Sequence, residues 1–453
     1  MNETRTLAEF VAGLRYEDLP RAVVDQACRI VIDTIGCAIS AWSEDPEKSR
    51  IALAIAKLYG ATAGASIIGT AGVKSQPAFA ALANGILCNA ADNDDTHKRS
   101  LLHAGSVLVP TTLALAETQQ LRGRDLIVSL VAGYEVSVRV AMAVLPSHHR
   151  FWHSTGTNGT FAAAVSAAKA LGLDADGVQR ALGLAGTQAA GLNTFIESGD
   201  MTKSIHPGKS ALNGILSAQL AQLGATSSPV ILEHPKGYLN TFSADPHPEA
   251  LTSGLGSSWE ILQNGFKFFP TVLTSHSPIQ ATLAIVNKHA IDPAQIARIT
   301  NETYDTVMMH FGNKEVTSGM AARLSVPYCI AISAIDRKLT SAQFSPARFN
   351  DPLVRAVLAK TELIPNAEFN KLRPDNFPAR VTITMKNGAS FQEMVLFPKG
   401  DPQDPLSASE LEEKFRENVA KKLSPAGAGK LLATLYALPD ASNLNELASQ
   451  LHC

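Results

Sequence analysis

The chain has 453 residues, 45% of them hydrophobic and 18% charged, and a formal net charge of −2. That length exceeds one ordinary core, so two domains are expected, and the near-neutral balance argues against a nucleic-acid partner or an anionic membrane surface. Five scattered cysteines without a C-x-x-C pair predict reduced, buried thiols in a cytoplasmic protein; the polar first ten residues carry no signal-peptide core, and no apolar run long enough to span a membrane is expected.

From residue 6 onward the pattern is helical. Leu7, Phe10, Val11 and Leu14 recur at helical spacing, and residues 20–40 continue through Val23, Val24, Ala27, Ile30, Val31 and Ile35. The second half of that segment is apolar nearly all round, which predicts a buried helix in which Asp33 needs a structural partner. Helices follow at 51–59, 76–91, 109–119, 125–144, 162–171, 177–190 and 210–223, with one short extended piece at 65–69. High Ala and Leu content with Gly-containing breaks is what a helical bundle requires. Past residue 253 the character changes. Residues 296–303 alternate like a strand, 277–289 and 325–336 read as helices, and 379–385 and 390–396 are strands joined by Lys386-Asn387-Gly388, a hairpin signal. Helices at 407–420 and 427–435 could return to the first domain. The expected fold is mainly α: an all-helical domain from residues 1–256 and 403–453, and a smaller α+β domain from 257–402.

Between two apolar helices, residues 91–110 read A-D-N-D-D-T-H-K-R-S-L-L-H-A-G-S-V-L-V-P. Acids and imidazoles are the side chains that move protons near neutral pH once their surroundings tune them; mixed charge of this kind is also the usual composition of a solvated connection. Four further segments place polar groups in apolar or Gly-rich surroundings. Residues 148–159, H-H-R-F-W-H-S-T-G-T-N-G, precede an Ala-rich helix, where glycines admit a ligand and a helix start offers N–H groups to an anion. Their alternative is an N-capping segment with surface histidines. Residues 201–210, M-T-K-S-I-H-P-G-K-S, bring two lysines and a histidine to a helix start, suited to carboxylates. Residues 265–270 hold Lys267 within an aromatic run, and 323–328 hold an arginine and a tyrosine. No H-E-x-x-H, EF-hand loop, G-x-S-x-G elbow or G-x-G-x-x-G is present, so metal, hydrolase and dinucleotide readings are weak.

Taken together, D-x-D-D-T with H-x-G-S at 92–106, W-H-x-T-G-T-x-G at 152–159, T-K-x-x-H-x-G-K at 202–209, F-K-F-F-P at 266–270 and A-R-L-S-V-P-Y at 322–328 resemble the MmgE/PrpD family, in order and over nearly the whole chain. That family includes 2-methylcitrate dehydratases and cis-aconitate decarboxylase. The resemblance implies a homodimer that binds a small polycarboxylate and needs neither metal nor organic cofactor. It carries functional positions to Asp92, Thr96, His103, His153, Lys203, Lys267 and Tyr328, with His206 in the same motif as Lys203. One departure stands out: Val272 occupies a position where the decarboxylase and dehydratase pattern has a histidine or similar polar residue. His276, four residues on, could contribute instead.

The shared chemical problem is removing a proton from carbon next to a carboxylate, where developing charge must be met by cations and hydrogen-bond donors. The expected catalytic residues are His103, Lys203, His153, Tyr328 and Asp92, with His103 and Lys203 as first candidates for the base. Thr96, His97, His206, Lys267, His276 and Arg323 are expected to bind substrate. The resemblance, taken with the apolar Val272, implies a cofactor-independent epimerase of iminodisuccinate. A hydro-lyase acting on a 2-methylcitrate-like tricarboxylate is the alternative, and a non-enzymatic anion-binding protein is a third reading.

Overall fold

In the computed structural model of the chain, which describes residues 2–453, the longer helices run α1 (Glu3–Gly13), α2 (Arg21–Glu44), α3 (Pro46–Leu58), α4 (Pro77–Asn89), α5 (Gly105–Gln119), α6 (Gly123–Val144), α7 (Ser154–Ala170), α8 (Ala175–Gly186), α9 (Thr202–Gln222), α10 (His276–Lys288), α11 (Val326–Asp336), α12 (Ala408–Val419) and α13 (Pro425–Tyr436). They divide between two units. The first comprises the residues up to Asn193, Thr202–Asn264 and Ser407–Cys453; the second comprises Thr194–Met201 and Gly265–Leu406. The sequence places these joins at 256/257 and 402/403 and does not assign 194–201 to the second unit.

The first unit is mainly helical because its segments are apolar and rich in small residues. Every residue of α2 from Ile30 to Ala41 is buried, and each Ile, Val or Leu so enclosed contributes about 1.5–3 kcal/mol. The acid within that helix has the partner its burial demands: Asp33 lies 2.6 Å from the Lys414 ammonium on α12. A capping box of Ser407 and Glu410 starts α12. One expectation is corrected here. At 22 residues α6 is long and apolar enough to cross a membrane, an 18-residue stretch of it having mean hydropathy 1.6, yet 94% of that stretch is buried inside the structure. Its apolar length serves an interior helix.

The helix α7 also begins earlier than the alternation of apolar residues suggests. Residues 154–161 form its first two turns, so Gly156 and Gly159 are helical positions and not a loop that cradles a ligand. Strands β1 (Gly60–Ser66) and β2 (Lys74–Ser75) pair antiparallel in this unit. Among the described residues all five cysteines are free, four of them buried.

In the second unit β3 (Ile296–Thr303), β4 (Thr361–Pro365), β5 (Ala379–Met385) and β6 (Ser390–Val395) form one sheet in the order β4-β3-β5-β6. The β5–β6 hairpin turns through Gly388 at φ +88°, the left-handed conformation that Asn-Gly turns supply. Alternation along β5 buries Ala379, Val381, Ile383 and Met385. Val381, Ile383 and Met385 share one core with Ile279 of α10 and Ile330 of α11. The parallel β3–β4 pair has no counterpart in the sequence reading, since T-E-L-I-P is too short and mixed to show a period.

Candidate active site

The loop between α4 and α5 is placed by a close helix crossing. A Cβ on Gly85 would lie 2.6 Å from Gly208 Cα, and one on Gly208 would lie 2.2 Å from the Leu82 carbonyl oxygen. The two helices therefore touch backbone to backbone, and the first turns of α9 lie beside the end of α4. There Lys203 forms a buried ion pair with Asp92. Asp92 adopts φ +54° and Leu101 φ +51°, left-handed conformations that non-glycine residues seldom hold unless the surroundings impose them. The three carboxylates of the loop diverge. Asp92 meets Lys203, Asp94 accepts from the Asn89 side chain at 2.8 Å, and Asp95 accepts from the Gly105 N–H at 3.0 Å and from the Tyr134 hydroxyl. Asp95 thereby caps α5. Burial, the Asp94 charge and then Asp33 push its carboxyl up to about 7, against the lowering pull of Tyr134 and Gly105.

His103 sits at the end of this loop with its Nδ1 2.9 Å from the Asp95 carbonyl oxygen and 3.0 Å from Thr96 Oγ1. A carbonyl only accepts, so Nδ1 carries the proton and Nε2 is the basic nitrogen of the neutral ring. The His103 N–H donates to Thr155 Oγ1 at 3.1 Å, tying the loop to α7. His97 has the opposite tautomer. Its Nδ1 accepts from the Ser100 N–H at 3.3 Å, and its Nε2 lies 3.6 Å from Glu260. With its backbone paired to Leu102, His97 closes a tight turn through 97–102. Its contacts are therefore structural, and it is not among the groups brought together around His103. Burial lowers its pKa, while the Glu260 carboxylate opposes that.

His153 occupies the position just before α7, and its Nδ1 is 3.0 Å from His206 Nδ1. The ring centroids of His153 and His206 are 5.1 Å apart, and those of His153 and His103 are 6.3 Å apart. Burial first, and then the neighbouring His206, Lys203, His103 and His149, hold His153 well below the usual histidine range. Asp92, Thr96, His103, His153, Lys203 and His206 are thus one cluster of the first unit. Lys98 is buried, whereas Arg99 is exposed.

Lys267, His276, Arg323 and Tyr328 belong to the second unit. Lys267 is buried in the Phe266–Phe269 run. His276 opens α10, packs edge-on against Phe269, and directs Nε2 at the Thr271 carbonyl oxygen 3.4 Å away. Arg323 donates to the Pro270 carbonyl at 2.6 Å and lies over the Phe344 ring. The Tyr328 hydroxyl donates to the Gln343 carbonyl, and burial raises its pKa. Val272, in the departure from the family pattern, packs against that unit's apolar core.

The description of the MmgE/PrpD N-terminal domain matches residues 5–251, and that of the MmgE/PrpD C-terminal domain matches residues 269–435. The chain belongs to the MmgE/PrpD family. It is 28% identical over 468 residues to the cis-aconitate decarboxylase of Homo sapiens, covering 99% of this chain and 94% of that protein. It is 28% identical over 465 residues to that of Mus musculus, with coverage of 98% and 92%, and 26% identical over 481 residues to that of Aspergillus terreus, with coverage of 99% and 96%. These MmgE/PrpD relatives are decarboxylases. They support the lyase alternative of the sequence reading and lend none to its first choice, an iminodisuccinate epimerase.

Several residues that build this MmgE/PrpD cluster escape a reading of the sequence. Lys414 donates to the Asn93 carbonyl at 2.8 Å and pairs with Asp33. It stands in E-L-E-E-K-F-R-E-N-V, a run that reads as a solvated face. Leu411, Phe415 and Val419 recur at helical spacing on its buried side, and that spacing is the signal that places Lys414 inward. Tyr134 and Glu260 had no signal beyond their neighbours, because each acts across a long sequence separation, whereas Thr155 stands inside the W-H-x-T-G-T-x-G motif.

Proposed function

We propose that this protein is a lyase acting on a tricarboxylate, removing carbon dioxide or water by acid–base chemistry at a carbon next to a carboxylate. The observation that carries the reading is the pair of imidazoles at 6.3 Å, one of them locked as a base. His103 holds its proton on Nδ1 against Asp95, so Nε2 is the nitrogen able to take a proton from carbon. His153, paired with His206, is the partner able to give one. Lys203, charged through its pair with Asp92, is a donor for a substrate carboxylate and for the charge that gathers on it as the C–H or C–C bond breaks. The decarboxylase relatives, spanning nearly the whole chain, support the substrate class. The test is carbon-13 NMR of purified protein with cis-aconitate and, separately, with a 2-methylcitrate-like hydroxy tricarboxylate. Loss of carbon dioxide from the first or of water from the second is expected; persistence of both substrates would reject the reading.

A second reading, the cofactor-independent epimerase of iminodisuccinate, is favoured by one observation. Val272 supplies no proton where the decarboxylase and dehydratase pattern has a polar residue. Solvent deuterium appearing at the α-carbon of iminodisuccinate, with no new alkene from either tricarboxylate, would select it.

A further inference from the structure

The contact between His153 and His206 is more constructed than a single acid needs. His153 is buried, whereas His206 on α9 is half-buried, and the two Nδ1 atoms face each other at 3.0 Å. Two glycines make room for that approach. A Cβ on Gly156 would lie 2.9 Å from the Ala190 carbonyl oxygen and 3.3 Å from His206 Cβ. Gly191, at φ +144°, would place a Cβ 3.1 Å from Gly156 Cα and 3.5 Å from His206 Nδ1. The Gly191 carbonyl accepts the His153 N–H at 2.9 Å. Lys209, about one turn of α9 beyond His206, donates to the Ala190 carbonyl at 2.8 Å and the Gly156 carbonyl at 3.1 Å. The backbone around both rings is thus fixed from α7, α9 and the 190–191 segment.

We propose that His206 is a relay residue, passing protons between solvent and His153 and setting which nitrogen of the His153 ring carries the proton; this rests on the lyase reading above. Two Nδ1 atoms at hydrogen-bond distance share one proton. When His206 donates it, the proton of neutral His153 is on Nε2, aimed at substrate. When His153 donates it, Nε2 holds a lone pair.

Decarboxylation consumes one proton, and the relay supplies it without burying a charge. As carbon dioxide leaves, the electron pair of the broken C–C bond stays on carbon and takes the Nε2 proton of His153. The Nδ1 proton of His206 moves to His153 Nδ1, and a solvent proton joins His206 Nε2. Both rings are neutral before and after. Once product leaves, water protonates His153 Nε2, the shared proton returns to His206, and His206 releases its Nε2 proton, a reset with no net transfer. Dehydration and epimerisation return the proton they remove, so the demand on this path is greatest for decarboxylation. The titratable groups facing the pair are Lys203 on α9, His103 at the end of the 90–104 loop and His149 ahead of α7, with Lys209 on the backbone beside it. All are bases whose charge disfavours a waiting imidazolium, which suits transfer between neutral rings.

The test is His206→Gln in the full chain, since the amide can hydrogen-bond His153 but cannot pass a proton. The expected result is a fall in kcat for decarboxylation on the order of 10²-fold with KM little changed, and recovery in proportion to added imidazole. A rate equal to that of the unsubstituted protein, or a loss that imidazole does not repair, would overturn the relay. If the unsubstituted protein turns over no tricarboxylate, the lyase reading fails by itself, and nitrogen-15 NMR of labelled histidine judges the pair. The relay predicts that H206Q changes the Nδ1/Nε2 proton distribution of His153; an unaltered distribution would overturn it.

Discussion

At the residue scale, His103 and the Asp92–Lys203 pair make different predictions. His103→Gln keeps the approximate shape of the ring and removes its base, so turnover should fall on the order of 10²–10⁴-fold with an unchanged denaturation midpoint, measured by kinetics beside chemical unfolding. Asp92→Asn leaves the buried Lys203 ammonium without its carboxylate. Breaking a buried pair from one side costs about 3–5 kcal/mol, so D92N should lose stability as well as activity. Asp95 gives a pH prediction. Its folded pKa, about 7, lies above its unfolded value near 3.8, so ionising it opposes folding. Its contribution is harmless below about pH 4, and destabilisation grows as pH rises through 7. The stability of the native chain relative to Asp95→Asn should therefore be greater at pH 5 than at pH 8; a difference independent of pH would contradict that assignment. Which residues would cluster was legible at this scale only for those within the motifs. Asp92, Thr96, His103, His153, Lys203 and His206 meet in the structure. His97, from the same run, turns toward Ser100 and Glu260, because period and spacing do not say which way a loop side chain faces.

At the element scale, the site depends on a contact that spans 321 residues of the chain. Lys414 of α12 binds the carbonyl of Asn93, the neighbour of Asp92, and neutralises Asp33 of α2. Lys414→Met should cost about 3–5 kcal/mol by stranding Asp33 and should lower turnover by loosening the loop. Adding Asp33→Asn should restore part of the stability, which a double-mutant cycle in chemical denaturation measures. The crossing of α4 and α9 is sterically full, so Gly208→Ala should destabilise by about 1–3 kcal/mol by forcing the backbones apart. Helices were the most readable elements, since α2, α6 and α10 carry long apolar stripes, and the Asn-Gly hairpin of β5 and β6 announced itself. What stayed hidden depends on pairing across distance. β4 is defined by its parallel partner β3, and the first turns of α7 consist of Ser, Thr, Gly and Asn, poor helix formers that tertiary packing holds in place.

For the whole molecule, the sequence yields the mainly α architecture with a smaller sheet-containing domain, because the change from helical to alternating periodicity is abrupt. The exact joins, and the excursion of Thr194–Met201 into the second unit, are set by contacts that no local pattern encodes. We propose a homodimer that works without metal or organic cofactor, so activity should survive exhaustive dialysis against a chelator, and sedimentation should give about twice 48.0 kDa. The central claim is that His103 and His153 move protons at a carbon next to a carboxylate. The most direct test is turnover of cis-aconitate in deuterium oxide, followed by proton and deuterium NMR, for the native chain, His103→Gln and His153→Gln. The account predicts one deuterium on carbon in each product molecule formed by the native chain, and deuteration on the order of 10²-fold slower or more in His153→Gln, which has lost the group that delivers it. Deuteration at the native rate in His153→Gln would contradict it.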